Sequence, residues 1–270
     1  MCIRDSSNSS VVLNIQDIVS EAAVRVGLLK KDSWIVSVAQ AVEKLAYLKA
    51  TKISVIAEDF VTNLVEQGVN KNRIVCIPNW VNLDFIRPLN KNNSFREKHN
   101  LQDKFVVIYS GNIALTQGLE TVVKAAASLK EKSEIYFVIL GEERARQELQ
   151  KCCDNYQADN ILLLPLVPRE KLPEMLSASD IGLVIQKKTV TAFNLPSKIP
   201  VILASGRPII ASVPNTGTAM RVVKESGAGI VVTPEDFQAL AQAILELYKN
   251  PEKLEQLGRQ GRKYAEENFG

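Results

Sequence analysis

Residues 194–208 hold the side chains of this chain best suited to chemistry. A polar loop, Asn194-Leu195-Pro196-Ser197-Lys198, opens a short apolar stretch that ends at Gly206 and runs into the β-branched pair Ile209-Ile210. The unpaired backbone N–H groups of a helix start make a seat for phosphate. Ser197 adds a hydroxyl there and Lys198 a positive charge, a set that suits a diphosphate. The same residues also fit an ordinary helix cap between two sheet strands. Taken alone, the segment leaves both readings open; the elements around it shift the balance.

From residue 105 onward, short β-rich runs alternate with amphipathic stretches of helical length, the pattern of an α/β domain whose parallel sheet is covered by helices. The runs are 105–110, 135–140, 161–164, 181–185, 208–212 and 229–232. Between the first two, residues 118–130 place Leu119, Val122, Val123, Ala126 and Leu129 on one helical face. Thr233-Pro234-Glu235-Asp236 predicts a helix start with Thr233 as N-cap and Pro234 at the first helical position. Asn250-Pro251-Glu252 restarts a last helix that reaches nearly to Gly270. This half reads as a complete doubly wound domain.

The part before it is thinner. Residues 11–14, 53–56 and 73–77 predict three strands, few for an open sheet of its own, with helical patterns over 18–28, 34–49 and 59–67. The 34–49 helix carries a broad apolar face with Lys30, Lys31, Lys44, Lys49 and Lys52 around it. It reads first as a core-facing helix, with a membrane-surface helix as the alternative. Prolines 78 and 88 punctuate a change of segment. The expected domains are a partial one over 1–88, a whole one over 89–255 and a C-terminal helix over 256–270.

At 270 residues, 46% hydrophobic and with a formal charge of +3, the chain reads as globular, with charges too mixed to argue for nucleic acid. No apolar run approaches the roughly 20 residues of a membrane helix. Residues 1–10 are polar, without the apolar stretch of a secretory signal, and do not resemble the start of a domain; the expectation is that a natural N-terminus is missing. Cys2, Cys76, Cys152 and Cys153 form no C-x-x-C pair, which suits a reduced, cytoplasmic setting and not a structural zinc site. His99 is the single histidine, so a Ser-His-Asp triad within this chain would have to use it.

In order along the chain, the segments resemble the retaining glycosyltransferases of family 4, from about Asp17 to the C-terminus. Residues 74–82, Ile-Val-Cys-Ile-Pro-Asn-Trp-Val-Asn, resemble the family's "IPNWVD" exit from its first domain. Ser110-Gly111-Asn112-Ile113 with Gln117-Gly118-Leu119-Glu120 resembles its "SGN…QGLE" phosphate loop, and Gly141-Glu142-Glu143 stands where the family has "GDG". Ser177-Ala178-Ser179-Asp180-Ile181 is similar to its "A-x-x-D-I" strand entry. Pro196-Ser197-Lys198 and Ala204-Ser205-Gly206-Arg207-Pro208 are similar to "PSK…LASGRP". The nearest flavour is the subgroup that builds bacterial exopolysaccharide and O-antigen units of the colanic-acid type.

The resemblance implies a GT-B fold, two Rossmann-like domains of which the N-terminal one is incomplete here. It implies transfer of a hexosyl group from a nucleotide-diphosphate sugar to a lipid-linked or oligosaccharide acceptor, in the cytoplasm or peripherally at the inner membrane face. The donor is a substrate; no cofactor or metal ligand set is expected. Expected donor-binding residues are Gly111, Asn112, Gln117, Gly118, Glu142, Asn194, Ser197 and Lys198, with catalytic residues unassigned. Three features depart from the family. Asn112 and Gln117 replace the Arg and Lys of its phosphate loop, Phe193 and Val201 replace its E-x7-E carboxylates, and Glu142-Glu143 alters the GDG turn. Glu142 is a ribose or base contact, or a solvated acid at a helix start. Lys187 and Lys188 supplement Lys198, or form a solvated loop pair. Asp17 is a cleft-edge carboxylate or an N-cap, and His99 reads as a surface residue. A non-catalytic nucleotide-binding subunit and a GT-B sugar-nucleotide epimerase are the alternative functions. The first draws on the absent carboxylate pair; the second needs cleft acids and histidines that this chain does not offer.

Overall fold

A computed structural model describes residues 10–18, 24, 30, 32–113, 117–190 and 195–270. The chain divides into two compact units, residues 1–79 with 189–195 and residues 80–188 with 196–270.

The first unit holds a three-stranded parallel sheet, β1 (Val12–Ile15), β2 (Lys52–Val55) and β3 (Ile74–Cys76), in the order β1-β2-β3. Helix α1 (Trp34–Lys49) links β1 to β2, and α2 (Glu58–Glu66) links β2 to β3. Its core gathers Ile15, Tyr47, Ile53, Val55, Phe60 and Leu64. Helix α1 starts at Ser33, whose hydroxyl accepts from the Ile35 N–H, and it turns only Val36 and Tyr47 fully inward. The expectation of a core-facing α1 is corrected here: Trp34, Val38, Val42, Leu45 and Leu48 face solvent. Two buried side chains cannot take up an apolar arc this wide, so most of it lies on the outer side. The expected helix over 18–28 falls largely outside the described residues.

The second unit is built on six parallel strands: β4 (Phe105–Ser110), β5 (Ile135–Gly141), β6 (Ile161–Pro165), β7 (Ile181–Ile185), β8 (Ile209–Ser212) and β9 (Gly229–Val232). Their order is β6-β5-β4-β7-β8-β9, the doubly wound arrangement in which the chain reverses its direction of travel between β4 and β7. Every residue of β7 and the four middle residues of β4 are buried, as continuous apolar runs covered on both faces require. The connecting elements are α3 (Ser94–Lys98), ahead of β4, then α4 (Glu120–Ser128), α5 (Glu143–Tyr156), α6 (Leu172–Ser177), α7 (Lys198–Ala204) and α8 (Thr218–Glu225). Helices α9 (Phe237–Lys249) and α10 (Pro251–Asn268) close the chain. One glycine sets how closely α7 lies on the sheet: a Cβ at Gly182 of β7 would stand 2.6 Å from the Ile202 side chain.

The division falls between Asn79 and Trp80 and not after Pro88. Residues 81–86 are tied to α10 and its C-cap: the Val81 N–H donates to the Phe269 carbonyl at 2.8 Å, and Arg262 donates to the Ile86 carbonyl at 2.9 Å. The last helix begins at Pro251, capped by Asn250, so the expected separate piece from 256 is the interior of one continuous helix. The expected Thr233 cap is also corrected. Glu235 adopts a left-handed φ of 62°, which keeps Pro234 and Glu235 out of the helix. Asp236 caps α9 instead, accepting from the Ala239 N–H at 2.9 Å.

A buried ion pair pins the amino edge of this sheet. Arg96 of α3 is fully buried and donates to Asp180 Oδ2 at 2.6 Å and to the carbonyls of Ala178 and Leu101 at 2.7 and 2.9 Å. Asp180 accepts in turn from the Val106 N–H at 2.8 Å, which joins α3, β4 and the entry to β7.

Candidate functional site

Strands β4 and β7 neighbour each other while their connections leave in opposite directions, which opens a crevice beyond their carboxyl ends. Residues 110–113 leave β4 there, Lys187 leaves β7, and α7 begins there with Lys198.

Gly111 takes φ +135°, a conformation that side chains rarely adopt, and a Cβ on it would stand 3.4 Å from Lys198 Nζ. Bare backbone and an ammonium group therefore face each other across the rim. Lys198 Nζ lies 3.8 Å from the centroid of the Tyr109 ring, a cation–π contact. Tyr109 is fully buried, and its hydroxyl donates to the Asn112 carbonyl at 2.7 Å, which anchors the loop after β4. Burial lowers the Lys198 pKa from 10.5 to about 8, and among the described residues no carboxylate offsets that desolvation. Burial also raises the Tyr109 pKa, so its hydroxyl stays a neutral donor. A half-buried cation of this kind favours a bound anion.

The surrounding rim is polar and open. A Cβ at Gly118 would stand 3.0 Å from Lys187 Cγ, so the Lys187 stem lies over the start of α4. The Glu120 carboxyl there is held below its ordinary range chiefly by hydrogen bonds from Lys124 and Tyr156, with the charge of Lys187 contributing. Gln117 Oε1 lies 3.4 Å from the Tyr109 hydroxyl. The turn after β5 borders the same loop, since a Cβ at Gly141 would overlap Ile113 at 2.3 Å. Glu142 follows as the exposed, extended N-cap residue of α5, with no side-chain cap bond. Ser197 is exposed at the start of α7 and its side chain makes no cap bond.

Of the expected donor-binding residues, Gly111, Asn112, Gln117, Gly118, Glu142, Ser197 and Lys198 lie on or beside this rim, and Asn194 falls outside the described residues. Lys187, which sequence reasoning left between two roles, sits at the rim, whereas Lys188 is exposed and donates its backbone N–H to Glu235 Oε2 at 3.2 Å. His99 ends α3 and packs on the Phe95 ring at 4.8 Å, at the opposite, amino edge of the sheet. Its pKa is lowered by burial and by Lys98. Asp17 belongs to the first unit, where burial raises its pKa. The cysteines Cys76, Cys152 and Cys153 are free thiols, and the described residues contain no cluster of metal-ligating side chains. Sequence reasoning missed the seat that Tyr109 forms under Lys198; at the end of an apolar strand, a tyrosine reads as core.

Doubly wound strand order, a bare-backbone turn at the switch point and a cation seated on an aromatic ring beside it define a Rossmann-like unit. The family model for glycosyl transferases group 1 matches residues 91–264, and the chain belongs to that family. It is 30% identical over 244 residues to WcaI of Escherichia coli K12, a candidate colanic acid biosynthesis glycosyl transferase, covering 88% of this chain and 60% of that protein. It is 25% identical over 259 residues to the candidate glycosyltransferase WbjE of Pseudomonas aeruginosa, covering 96% of this chain and 64% of that one. Among solved structures, Anabaena HepE in complex with UDP and glucose aligns with a TM-score of 0.78 at 17% identity, over 96% of this chain and 67% of its own. Sucrose-phosphate synthase of Thermosynechococcus elongatus aligns with a TM-score of 0.77 at 20% identity, over 98% of this chain and 65% of its own. These alignments establish the GT-B fold. The chain thus spans about three-fifths of the length of the two curated relatives.

Proposed function

We propose that this chain is the donor-binding part, with a portion of the acceptor side, of a retaining hexosyltransferase that acts in cell-surface polysaccharide biosynthesis. The donor is a nucleotide-diphosphate sugar and the acceptor a lipid-linked or oligosaccharide chain, met at the inner face of the membrane. One observation carries the reading: the Lys198 ammonium, seated on Tyr109 and facing the Gly111 backbone at the sheet's switch point. The relatives support the direction, one being a candidate glycosyltransferase of colanic acid biosynthesis and one fold neighbour having been solved with UDP and glucose.

The chemistry follows from charge. As the bond between the sugar's anomeric carbon and the diphosphate oxygen breaks, positive charge spreads over the sugar ring and negative charge gathers on the leaving diphosphate. An ammonium group in a partly dry setting stabilises that developing charge more than it stabilises the intact donor. Gly111 lets the diphosphate approach the backbone, and Lys187 adds a second cation from the other side of the rim. The test is calorimetric titration with UDP and with GDP. Saturable binding of one of them, weakened in Lys198→Ala, is the expected result. No heat from either at millimolar concentration overturns the reading.

A second reading rests on the missing carboxylates. Val201 lies within α7 where the family pattern places the second glutamate of its pair, so this chain lacks an acid there. A non-catalytic nucleotide-binding subunit would bind UDP or GDP as above. It would neither hydrolyse the cognate nucleotide sugar nor transfer its sugar when supplied with acceptor lipids.

A further inference from the structure

The amino edge of the second unit's sheet gathers more positive charge than its fold neutralises. Asp180, just ahead of β7, is the only buried carboxylate among the described residues. Three cations converge on it. Lys91 pairs with its Oδ1 and Arg96 with its Oδ2, while Arg207, at the turn into β8, feels its charge at longer range. Three positive charges thus face one negative charge where water is scarce. Burial is the main reason that the Arg207 pKa is lowered; Asp180 acts against the shift and Arg96 adds to it. The guanidinium is also short of acceptors. Its Nη2 donates to the carbonyls of Ser177 and Leu89 at 2.7 and 3.3 Å, its Nε is buried without a partner, and among the described residues Nη1 has no acceptor. These groups border a cavity of about 460 Å³. Its walls are stiff, with Pro88, Pro208 and Pro251 around it and Leu254 on α10. Helix α10 closes tightly on the turn before β8, since a Cβ at Gly258 would stand 2.4 Å from the Gly206 carbonyl oxygen.

We propose that this cavity binds a small phosphomonoester, its phosphate at Arg207 and Lys91 and its sugar-sized body against the prolines and Leu254. A phosphomonoester carries close to two negative charges near pH 7, which matches the excess left around Asp180. A carboxylate brings one charge and would leave a cation over. The planar arginine fork suits phosphate oxygens, and its free donors supply hydrogen bonds that the protein does not make. Asp180 does not oppose the anion, because Lys91 and Arg96 hold its two oxygens. The acids at the mouth are engaged likewise, Glu255 by Arg259 and Glu266 by Arg262, and Lys263 adds a further cation there. The volume lies low in the range of roughly 300–1,000 Å³ for small-molecule sites, which fits one phosphorylated sugar better than a nucleotide sugar. The cavity is at the edge of the sheet opposite Lys198, so its ligand is distinct from the donor. The inference stands apart from the donor reading and needs no nucleotide to be bound.

The experiment is calorimetric titration of the chain with glucose 6-phosphate, inorganic phosphate and glucose, repeated in Lys198→Ala to silence the donor rim. Glucose 6-phosphate should bind saturably, with a Kd of about 1 mM or tighter, and equally well in Lys198→Ala. Inorganic phosphate should bind more weakly, and glucose should give no heat. Arg207→Gln should weaken binding of the ester at least about tenfold, as expected for lost hydrogen bonds to a charged group. Arg259→Gln with Lys263→Gln, both exposed at the mouth, should weaken it roughly twofold to tenfold. Circular dichroism checks that each variant is folded. Should Arg207→Gln fail to fold, the mouth pair carries the test, and unchanged affinity in that pair overturns the proposal. Equal binding by the parent and a folded Arg207→Gln overturns it too. So does glucose or inorganic phosphate binding as tightly as the ester. Binding that survives Arg207→Gln and disappears in Lys198→Ala assigns the phosphate to the donor rim and overturns it as well. UDP or GDP titration should be unchanged in Arg207→Gln, so failure of the donor reading and failure of this one are separable.

Discussion

Lys198 Nζ stands 3.8 Å above the ring of Tyr109, and the π face is the compensation that the fold offers a cation withdrawn from water. The compensation is partial. The ammonium keeps a pKa of about 8 against an ordinary 10.5, because burial dominates. Between those two pH values the unfolded chain holds one proton more than the folded one, so folding stability contributed by this group rises with pH across that window. Below about pH 8 both states are protonated and the desolvation cost is fully present. The chain is therefore expected to gain stability, by at most about 3 kcal/mol, from pH 8 to 10.5 relative to Lys198→Met. Urea unfolding at a series of pH values measures it; parallel pH profiles for parent and variant would remove the burial argument.

In the proposed donor site the same cation would set ligand affinity. Lys198→Ala is expected to weaken UDP or GDP binding by about 1–3 kcal/mol, the scale of a lost charge-assisted contact. At pH 7 its melting temperature should hold or rise, since a poorly solvated charge has been removed. A bound diphosphate favours the ammonium form, so above pH 8 binding must take up a proton and affinity should fall with rising pH. Calorimetry in buffers of different ionisation enthalpy reads that uptake directly, and it should vanish in Lys198→Ala.

Gly111→Ala tests the bare backbone. The new Cβ is forced to a φ of +135° and lands 3.4 Å from Lys198 Nζ. Strain of this kind costs on the order of 1–3 kcal/mol. The methyl group also occupies the space in which a diphosphate would lie. Nucleotide affinity is expected to fall further than in Lys198→Ala, and stability to fall with it, both measurable on one sample by thermal melts with and without UDP.

Lys187 and Lys188 are neighbours in sequence with different surroundings. The Lys187 stem crosses Gly118 at the rim, whereas the Lys188 side chain is exposed. Lys187→Ala is expected to weaken nucleotide binding by roughly 0.5–1 kcal/mol, the size of a solvent-screened ionic contact. Lys188→Ala should leave the isotherm unchanged. Equal effects of the two would mean that net charge, and not position, matters.

Much of the second unit was legible because its signals are local. The apolar runs of β4, β5 and β7 leave one reading for a parallel sheet, and Asn250-Pro251 marks the start of α10 without help from the fold. The start of α9 was misread because Thr233-Pro234 is a good cap by composition, and only the left-handed turn at Glu235 hands the role to Asp236. At the site, Gly111 and Lys198 could be named from type and order. Their contact, and the place of Tyr109 beneath them, depends on how α7 lies against β7, which side-chain spacing does not encode. Helix α1 was misjudged for a related reason: periodicity reveals an apolar face but not which way that face is turned.

Arg96 and Asp180 supply a control that separates folding from function. Each end of the pair is buried, and Arg96 donates to Asp180 and to the carbonyls of Ala178, Leu101 and Lys104. Arg96→Met removes those donors and leaves the buried Asp180 carboxylate to Lys91 and, at longer range, to Arg207. Loss of one partner of such a pair costs about 3–5 kcal/mol. Replacing both, as Arg96→Met with Asp180→Leu, should recover part of that loss, although the Val106 N–H then lacks its acceptor. Because the pair sits at the amino edge of the sheet, opposite Lys198, nucleotide affinity in the folded fraction should equal that of the parent. Urea unfolding together with calorimetry below the melting temperature distinguishes the outcomes, and a change in affinity at matched folded fraction would show that the two edges of the sheet are coupled.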